Sequence, residues 1–105
     1  MIRLVIKREI GIITEFEING HADFANGNDI VCAAVSGIVY TALGYFNEKY
    51  GTDDFIEKEG LIKWKRPLKL FNNISVDAVL EAMIIGIRQV ELQYEKNVKV
   101  MDEEV

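Results

Sequence analysis

The stretch Ile30–Phe46, IVCAAVSGIVYTALGYF, contains no charged residue over seventeen positions. A membrane-spanning helix needs about 20 apolar residues, so this segment is at the short limit for a span. Its hydroxyl and glycine residues, with Asp29 and Glu48 on its flanks, favour the central helix of a soluble domain instead. We therefore predict a helix from about Ile30 to Lys49 that is buried on more than one side, and no membrane partner.

A stripe of small residues runs along this helix, at Ala33, Gly37 and Gly44. Small side chains allow a sheet, another helix or a second subunit to approach the helix closely. The stripe therefore indicates a packing surface without saying which of the three occupies it.

Two segments before the helix alternate apolar and polar residues, which is the pattern of strands with one buried face. In Ile2–Glu9 and Ile12–Asn19 we expect the inward side chains to be Ile2, Leu4, Ile6, Ile12, Phe16 and Ile18. Gly11 lies between the segments and predicts a hairpin. The turn-forming residues of Gly20–Asp29 predict a loop, with Asp29 as the N-cap of the long helix.

A second hairpin, a second helix and a last strand follow the long helix. The hairpin joins Phe55–Glu59 to Leu61–Arg66 around Gly60, and Pro67 ends it. The amphipathic second helix begins at Asn73 or Ser75 and runs to about Tyr94. Its apolar stripe comprises Val76, Val79, Leu80, Met83, Ile84, Ile87 and Tyr94. Asn97–Met101 is the last strand, and Asp102-Glu103-Glu104 is expected to be a solvated end.

The predicted order is therefore β-β-α-β-β-α-β. It indicates an α+β fold in which a mostly antiparallel sheet packs against a long buried helix and a second amphipathic helix. With 105 residues the chain is too short for two separate cores, so residues 1–105 form a single domain.

The charge balance restricts the class of partner. Twelve Lys and Arg against seventeen Asp and Glu give a net charge of −5. This acidity argues against direct nucleic-acid binding, which depends on neutralising phosphates, and fits a basic partner better. The basic run Lys63-Trp64-Lys65-Arg66 is interpreted as a solvated strand face. The single cysteine and the early charges in Met1–Lys7 predict a reducing, cytoplasmic location without a signal peptide.

The chain has one histidine, His21, and one cysteine, Cys32. If Asp29 is the N-cap, Cys32 occupies the third helical position, where unpaired amides and the helix dipole favour a nucleophilic thiolate. His21, in the preceding loop, can act as general base and then as general acid, and the free first-turn amides can hold an oxyanion.

Each of these residues also has a structural interpretation. A cysteine in an apolar helix is often a small core residue, and a loop histidine is often solvated. Asp29 either caps the helix or orients His21. Ser36, one turn after Cys32, donates a hydrogen bond either to the sulfur or the substrate, or to a backbone carbonyl one turn back. One histidine and one cysteine are too few for a zinc site, and no phosphate-binding glycine motif is present, so neither metal nor cofactor is expected.

Two blocks, Gly20-His21-Ala22 and Asp29-Ile30-Val31-Cys32-Ala33-Ala34-Val35-Ser36, resemble the ribosomal-processing cysteine protease family Prp. The resemblance implies a bacterial homodimer that removes the N-terminal extension of large-subunit ribosomal protein twenty-seven, a basic protein. It also implies Cys32 as nucleophile, His21 as base, and Asp29 and Ser36 in supporting roles. The loop would be mobile and order over the substrate, and its substrate-facing members are Ala22, Asp23, Phe24 and Gly27.

Two other functions remain open at this point. A small acidic domain without a complete triad is also compatible with a non-catalytic ribosome-assembly adaptor that binds a nascent ribosomal protein. A thiol redox sensor would need a reactive Cys32 but would not need His21.

Overall fold

Five strands and two helices follow one another in the predicted order in a computed structural model, which describes residues 1–104. The elements are β1 (Ile2–Glu9), β2 (Ile12–Asn19), α1 (Ile30–Tyr50), β3 (Phe55–Lys58), β4 (Leu61–Lys65), α2 (Ile74–Gln93) and β5 (Val98–Glu104). A short 3₁₀ turn, Leu68–Leu70, follows Pro67. The prediction of an α+β fold with this element order is confirmed.

The strands form one sheet in the order β3-β4-β2-β1-β5. Every neighbouring pair is antiparallel except β1 and β5, which run parallel because the chain crosses over through α2. The buried residues of both helices form one cluster with the inward side chains of the strands. The opposite face of the sheet carries exposed charged residues such as Lys7 and Lys63. The two helices therefore form a single layer on one face of the sheet, and the core lies between this layer and the sheet.

The first hairpin contains an irregularity that the alternation did not predict. Lys7 pairs with Glu15 but Arg8 pairs with Ile13, so Thr14 is an additional residue in β2. A bulge of this kind interrupts the alternation, so the residues before Thr14 face the opposite way from what the alternation after it predicts. Ile13 is therefore the buried residue, and the prediction that Ile12 points inward was wrong.

Helix α1 buries one side only, which corrects the prediction of burial on more than one side. Its buried residues are Val31, Val35, Val39, Ala42, Leu43 and Phe46. The helix is long and apolar enough to cross a membrane, yet one such helix is weak evidence for a span, and 33% of its most apolar window is buried in the fold. The small-residue stripe lies on its exposed side: a Cβ added at Gly37 or Gly44 would meet nothing within 4 Å in residues 1–104.

The acidic residues at 102–104 are exposed, as predicted, but they continue β5 instead of following it. Arg8 Nε donates to Asp102 Oδ1 at 2.8 Å, and Gly11 N donates to Glu104 Oε1 at 2.8 Å. The hydrogen bond from Arg8 lowers the pKa of Asp102 below its ordinary value, although partial burial of the carboxyl opposes this shift. These contacts extend the parallel pairing with β1 three residues beyond the predicted strand end at Met101.

Two features at the element ends are the N-cap of the second helix and the burial of the basic run 63–66. Asn73 Oδ1 accepts from Val76 N at 3.1 Å, so Asn73, not Ser75, is the N-cap of α2. In the basic run, Lys63 and Lys65 are exposed as expected, but Trp64 and Arg66 are buried. The prediction of a solvated face was therefore wrong for Trp64 and Arg66.

Candidate active site

The loop after β2 and the first turn of α1 enclose a surface cavity of about 570 Å³. The cavity is lined by His21, Asp23, Ala25, Asn26, Gly27, Asn28, Asp29, Ile30, Cys32 and Ala33. The only histidine and the only cysteine of the chain therefore line the same cavity, although eleven positions separate them in the sequence.

Cys32 is half-buried at the start of α1, and its sulfur is the acceptor of a loop hydrogen bond. Ala22 N donates to Cys32 Sγ over 3.4 Å. This N–H donor and the positive end of the helix dipole both direct positive charge at the sulfur. The sulfur thus has the polar surroundings of an attacking group together with access to the cavity.

Asp29 is the N-cap of α1, and it also shapes the loop. One carboxylate oxygen accepts from the amides of Val31 and Cys32, and the other accepts from those of Phe24 and Ala25. Burial of the carboxyl raises its pKa, but the four amide donors together lower it more, so the pKa lies below the ordinary value. Between residues 1 and 104 Asp29 makes no hydrogen bond to His21, so the geometry favours the capping role over the orienting role.

The same hydrogen bonds restrict which first-turn amides could hold an oxyanion. The amides of Val31 and Cys32 donate to the Asp29 carboxylate, and the amide of Ala33 donates to the Asp29 carbonyl at 3.0 Å. These three amides already have partners, so a developing oxyanion would need the amide of Ile30, which lines the cavity, or donors from elsewhere.

His21 is exposed, and its imidazole lies over Gly60 in the turn between β3 and β4. A Cβ at Gly60 would be 3.2 Å from His21 Nε2, so the absence of a side chain there makes room for the ring. Gly20 N donates to Gly60 O at 2.9 Å, which fastens the start of the loop to this turn. No hydrogen bond joins His21 to Cys32 in the described part of the chain; catalytic pairs often close only when substrate is bound.

The other predicted site residues separate into two groups. Asp23 and Gly27 line the cavity. Ala22 is buried, Phe24 packs edge-to-face on Tyr94 with ring centres 5.2 Å apart, and Ser36 is exposed one turn beyond Cys32; none of the three is among the lining residues. Residues 1–104 contain no group of three or more histidine, cysteine, aspartate or glutamate side chains placed to hold a metal ion.

The sequence did not predict the contact of Asn97 with the loop. Asn97, between α2 and β5, donates from Nδ2 to the carbonyl of Ala22 at 2.8 Å. It is 75 positions from Ala22, and a single asparagine before a strand carries no local signal of such a contact.

Comparison with known proteins agrees with this arrangement. The family model described as cysteine protease Prp matches residues 1–99. The chain belongs to the Prp family. The ribosomal processing cysteine protease Prp of Bacillus subtilis (strain 168) is 32% identical to it over 108 residues, covering 95% of this chain and 96% of the relative. This Prp family member is therefore a cysteine protease, as its motifs predict.

Solved structures share the fold. A Prp protease from S. aureus, in complex with a covalently linked product peptide, superimposes with a TM-score of 0.89 at 23% identity. A second structure of the S. aureus protease, in complex with a substrate peptide, gives a TM-score of 0.81 at 22% identity. Each comparison covers 98% of this chain and 100% of the other. At this level of identity the likeness establishes the architecture.

The contact between His21 and Gly60 in this Prp chain can be tested with two matched glycine variants. Gly60 and Gly51 have φ angles of +71° and +67°, so Gly60→Ala and Gly51→Ala should each cost about 1 kcal/mol in the free energy of unfolding. Only the Cβ at Gly60 meets the imidazole, because a Cβ at Gly51 has nothing within 4 Å in the described chain. We expect the imidazole NMR resonances of the single histidine to shift in Gly60→Ala and to stay in place in Gly51→Ala. Equal shifts in both variants would show that the ring does not lie on Gly60.

Proposed function

We propose that this Prp family member is a thiol endopeptidase that removes the N-terminal extension of large-subunit ribosomal protein twenty-seven during bacterial ribosome assembly. The observation that carries the proposal is the shared cavity, into which the only cysteine and the only histidine both open. The name of the Bacillus subtilis relative, a ribosomal processing cysteine protease, supports the substrate class. Cys32 is the proposed nucleophile and His21 the proposed general base.

The proposed reaction proceeds in two steps. The imidazole of His21 rotates from Gly60 toward the sulfur and accepts the thiol proton, and the Cys32 thiolate attacks the carbonyl carbon of the scissile peptide bond. The C–N bond breaks, the amine departs with the proton from His21, and a thioester remains on Cys32. His21 then takes a proton from water, and the resulting hydroxide attacks the thioester carbonyl. The C–S bond breaks, the acid product leaves, and the sulfur takes the proton back from His21 to restore the thiol.

Electrostatics support a basic substrate. The charged lining residues of the cavity are the carboxylates of Asp23 and Asp29, and the whole chain carries a net charge of −5. A negative field of this kind accelerates the approach of a basic ribosomal-protein tail, and its influence weakens as salt is added. Charge therefore contributes to the association rate, and the choice of bond to cleave depends on the cavity.

A homodimer in the bacterial cytoplasm is part of the proposal. The exposed side of α1 carries Ala33, Gly37 and Gly44. Beside it, an apolar surface groove of about 320 Å³ lies between α1 and α2. The groove is lined by Ile38, Thr41, Ala42, Tyr45, Val79, Ala82, Met83 and Gly86. Apolar surface of this kind is typical of subunit interfaces. A purely monomeric mass by light scattering at micromolar concentration would contradict the dimer.

Incubation with a synthetic peptide that spans the extension, read by mass spectrometry, tests the proposed activity. We expect one cut, two products and complete inhibition after alkylation of Cys32. A peptide of the same composition in scrambled order is the control and should remain intact. Binding of the extension peptide without cleavage, unchanged by alkylation, would instead support the ribosome-assembly adaptor.

A further inference from the structure

The residue next to His21 is held at three points. Ala22 N donates to Cys32 Sγ at 3.4 Å, Ala22 O accepts from Asn97 Nδ2 at 2.8 Å, and the Ala22 side chain is buried, with 1% exposed. The flanking residues His21 and Asp23 are exposed, so Ala22 is a buried point of attachment between the loop and the body of the fold.

Asn97 is itself rigidly placed. Its backbone N donates to Tyr94 O at the end of α2, and its carbonyl accepts from Ile2 N at the start of β1, each at 2.8 Å. Its side chain therefore projects from a junction between a helix and the sheet, and its amide group reaches the Ala22 carbonyl. Tyr94, on the same junction, also packs against Phe24 of the loop.

We infer that Asn97 is a positioning residue for the reaction of Cys32. By fixing the Ala22 carbonyl, it keeps the Ala22 N–H on the sulfur and keeps the backbone of His21 at the edge of the cavity. Asn97 is not among the residues that line the cavity, so it acts on the chemical step rather than on substrate binding. The inference rests on the proposed function in one respect, the role of Cys32 as nucleophile.

Two variants of Asn97 and one neighbour test the inference. Asn97→Ala removes the amide, and Asn97→Asp keeps its size while replacing the N–H donor with a carboxylate that faces the Ala22 carbonyl. Lys96→Ala, in the same turn and exposed, is the matched control. In both Asn97 variants we expect kcat for the extension peptide to fall about 10- to 100-fold, since small misplacements of reacting groups cost that much, while KM changes less than about twofold.

A second measurement does not depend on the substrate. Because Cys32 is the only cysteine, the rate of alkylation by iodoacetamide as a function of pH reports on this thiol alone. Loss of the Ala22 N–H donor should move the alkylation profile of both Asn97 variants to higher pH, whereas Lys96→Ala should match the wild type. A merely structural weakening would lower the midpoint of urea unfolding without moving this profile in the folded protein.

The outcomes distinguish the inference from the proposed function. If the wild type alkylates and cleaves the peptide but the Asn97 variants keep its kcat and its alkylation profile, the positioning role is wrong and the protease remains. If the wild type alkylates but cleaves no peptide while the profile still shifts in the variants, the placement of Cys32 by Asn97 holds and the substrate assignment fails.

Discussion

Cys32→Ala and Cys32→Ser are each expected to lower kcat for the extension peptide by about 10⁴-fold or more, because removal of a catalytic nucleophile has effects of this size in other proteases. Serine keeps the volume and the hydrogen-bonding site, but its hydroxyl does not ionise near neutral pH. If a polarisable thiolate at the cavity wall is the attacking group, serine cannot replace it. Single-turnover cleavage of the peptide followed by mass spectrometry is the measurement.

The fold should survive both substitutions. Cys32 is half-buried in the first turn of α1, and alanine is the best helix-forming residue. Circular dichroism spectra and urea midpoints close to those of the wild type are the control. An alanine variant that cleaves at the wild-type rate would disprove the assignment of the nucleophile, and a variant that fails to fold would show that the cysteine is a core residue.

His21→Ala extends the same argument to the general base. The side chain is exposed, so its removal should cost little stability, and the loss should be in kcat rather than in KM. Two measurements on this variant separate a protease from a redox sensor. A protease loses cleavage without His21 even where the Cys32 thiol still reacts. A redox sensor would show unchanged reactivity of Cys32 in a thiol titration and would retain its full oxidation response without the imidazole.

Local patterns predicted the parts of the fold that depend on neighbouring residues. The alternation in β1 correctly placed Ile2, Leu4 and Ile6 in the core. The prediction failed for Ile12 because the bulge at Thr14 depends on how β2 pairs with β1, which one strand alone does not encode. It also failed for the end of β5, which continues past Met101 because Asp102 binds Arg8, 94 positions away in the chain.

In the candidate site, too, the sequence predicted local contacts but not contacts between distant elements. The cap at Asp29 and the position of Cys32 in the first turn follow from residues within one helical turn of each other, so the sequence predicted both. The approach of His21 to Gly60 and of Asn97 to Ala22 depends on contacts between distant elements. No spacing rule links these pairs, and only the assembled sheet brings them together.

Arg66 is the second position at which a single change should have a large effect, here on stability. Its guanidinium is fully buried and donates to Leu70 O at 2.8 and 3.1 Å, to Ile13 O at 3.2 Å and to Asp77 Oδ1 at 2.8 Å. It also lies over the ring of Phe71, 5.2 Å from the centre. One side chain thus joins β2, the 3₁₀ turn and α2 at the end of β4.

Arg66→Met tests this junction, because methionine keeps most of the aliphatic volume and removes every donor. We expect a loss of roughly 3–5 kcal/mol in the free energy of unfolding, since the carbonyls of Ile13 and Leu70 would be left buried without donors. A domain of this size is stable by only about 5–15 kcal/mol, so the variant should unfold at a much lower urea concentration.

Asp77→Asn is the matched control, because it removes the ion pair and leaves the guanidinium with its two carbonyl acceptors. The Asp77 side chain is 47% exposed, so water can replace the contact and the cost should be at most about 1 kcal/mol. If Asp77→Asn destabilises as much as Arg66→Met, the ion pair rather than the buried carbonyl bonds holds the junction. If Arg66→Met costs less than about 1 kcal/mol, the buried arginine contributes no net stability, which is a known outcome for some buried charges. Arg66→Met should lower the free energy of unfolding more than Asp77→Asn does, because the carbonyl acceptors are inaccessible to water and the carboxylate is not.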